Sequence, residues 1–226
     1  MPPESIDVAE LVVGILGGTG PQGKGLAIRF GANGQRVLIG SRDAGRAVAA
    51  AADVNAAAHC DAVAGAGNAA VAAGADVVIV AVPWDGHAAT IKTLEEALQG
   101  KVVVDCVNPL GFDKQGPYPL LVPEGSAAEQ AQSLLPGSRV VGAFHHLSAV
   151  RLADRSLDLL DSDVLVVGDD REATDLVQAL ADRIPGLRGV YAGRLRNCRQ
   201  VEALTANLIS INGRYRCHAG IRVTDV

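Results

Sequence analysis

The sequence predicts an α/β fold in which a doubly wound parallel sheet is covered by helices on both faces. Two observations predict it. Short apolar runs alternate with alanine-rich helical stretches along most of the 226 residues, as is typical of parallel strands joined by right-handed crossovers. The first apolar run also leads through a glycine-rich turn into a helix, which is how such sheets commonly begin.

The first strand, turn and helix contain the most informative motif. Residues 11–16 predict a buried strand and residues 24–32 a helix, and between them Gly18, Gly20 and Gly23 match G-x-G-x-x-G. In this context the pattern predicts a Rossmann-type dinucleotide site, because glycine permits a tight turn and a close approach of pyrophosphate to the free N–H groups of the helix. A glycine-rich turn in another kind of α/β protein is the alternative.

The second predicted strand, residues 36–39, determines which dinucleotide is expected. Its end carries Ser41 and Arg42, with Arg46 one turn into the next predicted helix at residues 44–58. An acidic residue usually binds the ribose 2′-hydroxyl of NAD at this place, whereas guanidinium and hydroxyl groups bind a 2′-phosphate. The sequence therefore predicts NADP rather than NAD. The alternative is that both arginines are merely solvated at a helix start, where cations oppose the helix dipole.

The fourth predicted strand leads directly to the expected ligand edge of the sheet. A weak strand at residues 61–64 and a short helix at 68–73 precede it, and residues 75–82 predict the buried strand itself. Pro83 ends the strand, so Val82, Pro83 and Trp84 are placed to line the cofactor cleft. Trp84 is equally well explained as a packing residue.

The pattern of helices and strands continues to the end of the chain. Ser126 is a candidate helix cap, with Glu129 in the capping-box position. We divide the chain into a dinucleotide-binding domain at 10–146 and a smaller portion at 147–226, and we leave open the alternative that this portion continues the first sheet. The predicted elements are a helix at 86–98, a strand at 101–105, an irregular loop at 106–125, a helix at 126–135, a sixth strand at 139–144, a strand at 163–167, a helix at 171–184, a strand at 189–191 and a long helix at 194–212.

Composition limits the possible partners. The formal net charge of -5 disfavours general nucleic-acid binding, which requires clustered cations. Six arginines nevertheless follow residue 191 and face only Glu202 and Asp225, which suggests an anionic small ligand or a partner subunit. The longest apolar stretch, 69–84, contains Asp76 and is too short to span a bilayer at about 20 residues. We therefore expect no nucleic-acid or membrane partner.

Cysteine usage and the N-terminus indicate a cytoplasmic protein. Cys60, Cys106, Cys198 and Cys217 stand far apart and are expected to be free thiols in a reducing compartment. Residues 1–7 are acidic and lack an apolar core, so they predict a short disordered arm rather than a secretory leader.

One histidine pair follows the sixth strand, and it determines the chemistry we expect. His145 there could be a general acid or base, a hydrogen-bond donor to a bound ring, or a core histidine, and its place opposite the expected nicotinamide favours the ring donor. The spacing of histidines and cysteines does not predict a metal site. Because the nicotinamide itself carries the hydride, the lack of a clear acid/base pair fits an oxidoreductase whose second substrate is an aromatic hydride carrier.

These pieces together resemble the coenzyme F420-dependent NADP oxidoreductases, also called NADPH-dependent F420 reductases, over residues 13–223. The likeness is carried by five segments, which are residues 15–20, 40–42, 82–84, 168–170 and 218–221 (ILGGTG, GSR, VPW, GDD and HAGI). It implies a sheet like the N-terminal domain of 6-phosphogluconate dehydrogenase with a small α/β and long-helix extension, in a homodimer.

The resemblance also implies a role for each candidate site residue. Pyrophosphate would be held by Thr19, Gly20, Pro21 and Gln22, and the 2′-phosphate by Ser41, Arg42 and Arg46. The nicotinamide half would lie against Val82, Trp84 and Ala149. The ring of F420, a deazaflavin, would lie against His145, Leu147 and Ala219, with 147–226 completing its pocket. The implied reaction is direct hydride transfer between NADP(H) and F420, without a metal. An NADPH-dependent imine or carbonyl reductase and a non-catalytic NADP(H) sensor are the alternatives.

Overall fold

The computed structural model describes residues 6–226, so residues 1–5 of the predicted N-terminal arm lie outside the described residues. Its strands are β1 (Val12–Leu16), β2 (Arg36–Ser41), β3 (Val63–Gly67), β4 (Val77–Val80), β5 (Val102–Asp105), β6 (Leu110–Asp113), β7 (Gly116–Pro119), β8 (Arg139–Gly142), β9 (Ser162–Gly168) and β10 (Leu187–Tyr191). Its helices are α1 (Pro21–Ala32), α2 (Ala44–Ala58), α3 (Asn68–Gly74), α4 (His87–Lys92), α5 (Glu95–Leu98), α6 (Ala127–Leu134), α7 (Ala149–Ala153), α8 (Arg171–Asp182) and α9 (Cys198–Tyr215).

Eight strands form one sheet in the order β10-β9-β8-β5-β4-β1-β2-β3. All neighbours run parallel except β8 and β9, which pair antiparallel. This confirms the predicted doubly wound α/β fold. The sheet continues across the boundary predicted at residues 146 and 147, because β8 precedes this boundary in the sequence, β9 follows it, and the two strands pair. The functional division of the chain stays a prediction.

Alternate side chains of the central strands pack on opposite faces of the sheet. In β1, Val13 and Ile15 join one buried cluster with α1, α2, α7 and α8. Leu16 belongs to the second cluster, which includes residues of α3, α6 and α9. Because strands buried on both faces need apolar residues throughout, the continuous apolar runs of the sequence are explained.

The predicted irregular loop at 106–125 is wrong in part, because it contains an antiparallel hairpin. Strands β6 and β7 pair across a turn in which Gly116 has φ +116° and Asp113 accepts a hydrogen bond from the Gln115 backbone N–H at 2.7 Å. Pro117 and Pro119 argue against a strand in sequence. They are tolerated here because, among the described residues, this hairpin has no third strand.

Other predicted elements differ from the structure in their bounds. The single helix predicted at 86–98 is divided into α4 and α5, where Leu94 turns with its N–H bonded to the Ile91 carbonyl. The sixth strand ends at Gly142 rather than residue 144, because buried Phe144 adopts a left-handed φ of +63°. Helix α7 was not predicted, and α9 begins at Cys198 after a short 3-10 turn rather than at residue 194.

The predicted cap of α6 is confirmed: the Ser126 hydroxyl accepts a hydrogen bond from the Glu129 N–H at 3.0 Å. The carboxylate of Glu129 accepts from that hydroxyl at 2.9 Å rather than from the Ser126 N–H of a full capping box.

Arg29 joins the glycine-turn helix to α7. Its guanidinium is buried and donates to four backbone carbonyl oxygens, three of them at 2.8 Å, at the end of α7 and in the loop that follows. No carboxylate within residues 6–226 forms an ion pair with it. Carbonyl oxygens therefore replace its hydration, and the end of α7 is held against α1.

Candidate functional site

The glycine turn is packed so tightly that two of its glycines approach each other. A Cβ on Gly23 would lie 2.6 Å from the Gly18 Cα, a distance that no side chain can occupy. The Gly18 N–H donates to the Gly40 carbonyl oxygen at 3.1 Å, which joins the turn to the end of β2. A Cβ on Gly18 would itself lie 2.9 Å from the Ile15 carbonyl oxygen, so packing excludes a side chain at both the first and the third position of the motif.

Gly20 is different because the protein's own packing leaves room for a side chain there. A Cβ on Gly20 would meet only the Gly17 carbonyl oxygen, at an ordinary 3.4 Å. Gly20 occupies the N-cap position of α1 but has no side chain with which to bind the N–H groups of the first turn. Pro21 occupies the first helical position. An uncapped helix start with open space beside it fits an anion such as pyrophosphate.

The corner after β2 places two cations beside the glycine turn. Ser41 is buried and its hydroxyl accepts a hydrogen bond from the Asp43 N–H at 3.2 Å. Arg42 and Arg46 are exposed and form no ion pair within the described part of the chain. The nearby carboxylate of Asp43 caps α2 by accepting from the Arg46 N–H at 3.1 Å. The corner thus keeps its guanidinium groups free for an anion.

A cleft of about 520 Å³ opens where the carboxyl ends of β4, β5 and β8 meet. It brings together eight of the predicted site residues, which are Gln22, Val82, Pro83, Trp84, His145, Leu147, Ala149 and Ala219. The remaining ones, Gly18, Thr19, Gly20, Pro21, Gly23, Ser41, Arg42 and Arg46, do not line this cleft and belong to the turn and the corner. Residues from both predicted ring sites therefore share one cavity.

Several lining residues were missed in the sequence. Asn108 follows β5, and α9 contributes Thr205, Leu208, Ile209 and Asn212. The α9 positions are spaced by three or four residues, so one helical face was available as a signal.

The turn after β8 is held by polar contacts from three sides. The Gln22 side-chain amide donates to the Phe144 carbonyl oxygen at 3.1 Å. The His145 carbonyl oxygen accepts from the Asn108 amide at 2.9 Å and from the Thr205 hydroxyl at 3.3 Å. The left-handed Phe144 is thereby fixed, with its ring edge-on to Phe30 at 6.3 Å.

Both histidines of this turn are neutral near pH 7. Burial lowers the pKa of His145 to about 4 and that of His146 to about 4. His146 Nε2 accepts a hydrogen bond from the Leu165 N–H at 3.3 Å, whereas Nδ1 of each ring has no protein partner within residues 6–226. His145 can therefore donate or accept a hydrogen bond in the cleft, but an imidazolium acid at neutral pH is disfavoured.

A buried ion pair supports the opposite wall and was not foreseen. His87 Nε2 lies 2.6 Å from Asp105 Oδ2, and its Nδ1 lies 2.9 Å from Gln130 Oε1. Burial works to lower the pKa of His87, but the hydrogen bond and charge of Asp105 outweigh it and raise the pKa. Trp84 lies 5.4 Å above the His87 ring. Trp84 thus packs on the core and also lines the cleft, while its contact with a cofactor stays a prediction.

The arginine-rich end of the chain is partly neutralised by its own fold. Arg222 lies within 2.6 Å of Asp161 and 2.8 Å of the buried Asp163, and Arg188 also binds Asp163 at 2.8 Å. Asp163 accepts from the Val223 N–H at 2.6 Å as well. These bonds fasten the C-terminal segment that carries Ala219 to the cleft, so Arg222 is already paired and is a poor candidate for a ligand anion.

Comparisons with known proteins agree on one family. A family model described as NADP oxidoreductase, coenzyme F420-dependent, matches residues 12–109. The F420-dependent NADP reductase of Methanothermobacter marburgensis is 41% identical over 221 residues, covering 95% of this chain and 98% of that protein. The protein of the same name from Methanocaldococcus jannaschii is 39% identical over 224 residues, covering 95% and 98%.

Solved structures show the same similarity. A candidate F420-dependent NADP reductase from Arthrobacter sp. FB24 is 28% identical and superposes with a TM-score of 0.78, covering 95% of this chain and 99% of that one. A pyrroline-5-carboxylate reductase from Coxiella burnetii superposes with a TM-score of 0.61 at 14% identity, covering 90% and 66%. The second match shows a shared fold alone.

Proposed function

This chain belongs to the family of coenzyme F420-dependent NADP oxidoreductases, and from that premise we propose how its residues serve the reaction. It is an oxidoreductase that transfers a hydride between NADP(H) and the deazaflavin coenzyme F420. The observation that carries this conclusion is an identity of about 40% over nearly the whole length of reductases of that name. A reductase of another small molecule and a non-catalytic sensor are not favoured.

The dinucleotide phosphates would bind the turn and the corner. Thr19, Gly20, Pro21 and Gln22 would hold the pyrophosphate at the uncapped start of α1. The space open beside Gly20 and the absence of an acidic residue in the first turn support this assignment. Ser41, Arg42 and Arg46 would bind the 2′-phosphate. The guanidinium groups of Arg42 and Arg46 form no ion pair with any carboxylate among residues 6–226.

The two rings would meet in the 520 Å³ cleft. Val82, Pro83, Trp84 and Ala149 would border the nicotinamide, which supplies or receives the hydride. The deazaflavin would lie against His145, Leu147 and Ala219. Hydride transfer requires the protein to align the two rings and to exclude water from between them. The apolar lining residues Val82, Trp84 and Leu147, held in place by buried polar contacts, fit that need.

The direct test is deazaflavin absorbance. Purified protein mixed with NADPH and oxidised F420 should bleach the deazaflavin band, whereas a protein-free mixture and one with NADH in place of NADPH should bleach little. No bleaching above the protein-free rate would contradict the reaction. Tight NADPH binding without consumption by F420 would instead support the sensor.

A homodimer supported by apolar groups on α9 and the neighbouring hairpin is also proposed. Phe112 in β6, Leu121 after β7 and Tyr215 in α9 are 67, 83 and 73% exposed, and β7 packs against α9. Light scattering should give twice the mass of one chain, and Tyr215→Asp should lower it. A monomeric mass for the unaltered protein would contradict the proposal.

Within residues 6–226, no helix is both long and apolar enough to cross a membrane. A cytoplasmic location is proposed on the ground that all four cysteines are free thiols. That the protein lacks a nucleic-acid partner stays a prediction.

A further inference from the structure

Three buried side chains from distant parts of the chain meet beneath the cleft. They are His145 after β8, and Cys198 and Glu202, one turn apart at the start of α9. His145 Nε2 lies 3.8 Å from Cys198 Sγ, and one ligand atom of each residue lies within 4.8 Å of the others. A carboxyl oxygen of Glu202 lies within 4.8 Å of the Cys198 thiol, and both groups are buried. The three side chains therefore form a chain of neighbouring polar atoms from Glu202 to the ring of His145.

The two ends of this row of polar atoms, Glu202 and His145, are held in different ways. The two carboxyl oxygens of Glu202 accept hydrogen bonds from the Ala127 and Ala128 N–H groups at 3.1 and 3.2 Å. At the other end, the His145 ring lines the cleft, and its buried Nδ1 has no protein partner among the described residues. An unpartnered buried nitrogen is costly unless a ligand completes it. His145 thus directs Nε2 at the thiol, while its other ring nitrogen has no protein partner within residues 6–226.

We propose that Glu202, acting through the Cys198 thiol, sets the tautomer of His145 and so decides whether Nδ1 donates or accepts a hydrogen bond at the acceptor ring. This rests on the proposed function, in which the deazaflavin lies against His145. Glu202 and Cys198 are positioning residues, since neither needs to touch the substrate.

The proton positions follow from the donors available. With Glu202 protonated, its O–H donates to the thiol, the S–H donates to His145 Nε2, and Nδ1 carries a proton. With Glu202 ionised, the S–H donates to the carboxylate, Nε2–H donates to sulfur, and Nδ1 is a bare acceptor. The change releases one proton to solvent in total and forms no covalent bond.

Glu202 titrates in the range where this change matters. Burial raises its pKa to about 7, although the two backbone N–H groups of α6 and the thiol oppose that rise. The titratable groups around these three side chains are Asp105 of β5, Glu129 of α6, His87 of α4 and His146 of the turn after β8. His145 is neutral over the same range, so its tautomer can change without a change in its charge.

The proposal gives the pH dependence a direction. Ring carbonyl oxygens and unprotonated ring nitrogens only accept hydrogen bonds, so oxidised F420 is bound better when Nδ1 carries the proton. We expect kcat/KM for F420 to fall about tenfold from one pH unit below the pKa of Glu202 to one unit above it. The KM for NADPH should change little.

The first experiment needs neither ligand nor turnover. In protein with ¹⁵N-labelled histidine, the His145 Nδ1 signal should change from N–H to bare nitrogen as the pH rises through about 7. Glu202→Gln, whose amide donates to the thiol at every pH, should keep the N–H signal throughout. Cys198→Ser should retain the change, because a hydroxyl also donates and accepts, whereas Cys198→Ala should abolish it. Cys60→Ser, far from the cleft, is the matched control and should titrate like the unaltered protein.

The second experiment measures kcat/KM for F420 across the same pH range. Loss of the pH dependence in Glu202→Gln and Cys198→Ala, with its retention in Cys198→Ser, supports the proposal. The same pH profile in all variants, or an unchanging Nδ1 signal in the unaltered protein, overturns it. One equivalent of Zn²⁺ bound in equilibrium dialysis and lost in Cys198→Ala would overturn it too, since the three side chains would then be metal ligands. If F420 is not reduced but Nδ1 titrates as stated, the proposed function fails and the coupling of Glu202 to His145 stands.

Discussion

Adding one methyl group to the glycine turn should separate ligand binding from folding. In Gly20→Ala, the new Cβ meets only a carbonyl oxygen at 3.4 Å, so the free protein should lose less than about 1 kcal/mol, the usual cost of alanine at a helix cap. The methyl group occupies the space through which pyrophosphate would reach the helix N–H groups. Loss of one charge-assisted hydrogen bond costs about 1.5–3 kcal/mol, or roughly 10- to 150-fold in Kd for NADPH.

The matched control is Gly23→Ala. Its Cβ would lie 2.6 Å from the Gly18 Cα, so the free protein should lose about 1–3 kcal/mol through overpacking. Urea unfolding without ligand and fluorescence titration with NADPH measure the two effects. If Gly20→Ala binds NADPH as tightly as the unaltered protein, the phosphates do not approach this turn. If both variants unfold alike, the packing argument is wrong.

Three further predictions concern charge. Arg42→Asp should weaken NADPH binding by about 2 kcal/mol and spare NADH; equal losses in titrations with both would remove Arg42 from the 2′-phosphate site. The pKa values of His145 and His146 in the folded protein lie below the ordinary value of 6.5, so the unfolded chain binds protons first as the pH falls. The free energy of unfolding should therefore fall between pH 6.5 and pH 4, by up to about 3 kcal/mol for each histidine. Urea unfolding at several pH values should show about half that dependence in His146→Asn, and an unchanged slope would contradict it. Asp163→Asn should lower the free energy of unfolding by about 3 kcal/mol, the low end for a buried ion pair because both arginines are more than a third exposed. It should also raise the KM for F420, and an unaltered KM would show that the C-terminal segment bound to Asp163 does not shape the cleft.

The glycine turn and the corner after β2, where we propose that the dinucleotide phosphates bind, could be located from the sequence because their signals are local. Gly18 to Gly23 is one short segment, and Ser41 and Arg42 lie at the end of a strand whose place is set by the same topology. The structure adds what no local pattern contains, namely that Gly20 alone among the motif glycines has room for a side chain.

The second half of the cleft depends on contacts between distant residues. Thr205 and Asn108 meet at the His145 carbonyl group, although 97 residues separate them in the chain. His87 and Asp105 form an ion pair only because α4 lies over the end of β5. Two prolines concealed the hairpin, since local propensity cannot tell whether a strand will be left without a further neighbour.

The buried guanidinium of Arg29 limits how this scaffold can be re-engineered. It reaches from the helix of the glycine turn to the carbonyl groups behind α7, whose first residue is Ala149. A designer who grafts a new loop in place of α7 to reshape the cleft would leave a cation in the interior with nothing to solvate it. The graft must therefore supply carbonyl oxygens at the same places or replace Arg29 together with the loop, so the glycine-turn helix α1 and helix α7 cannot be exchanged independently.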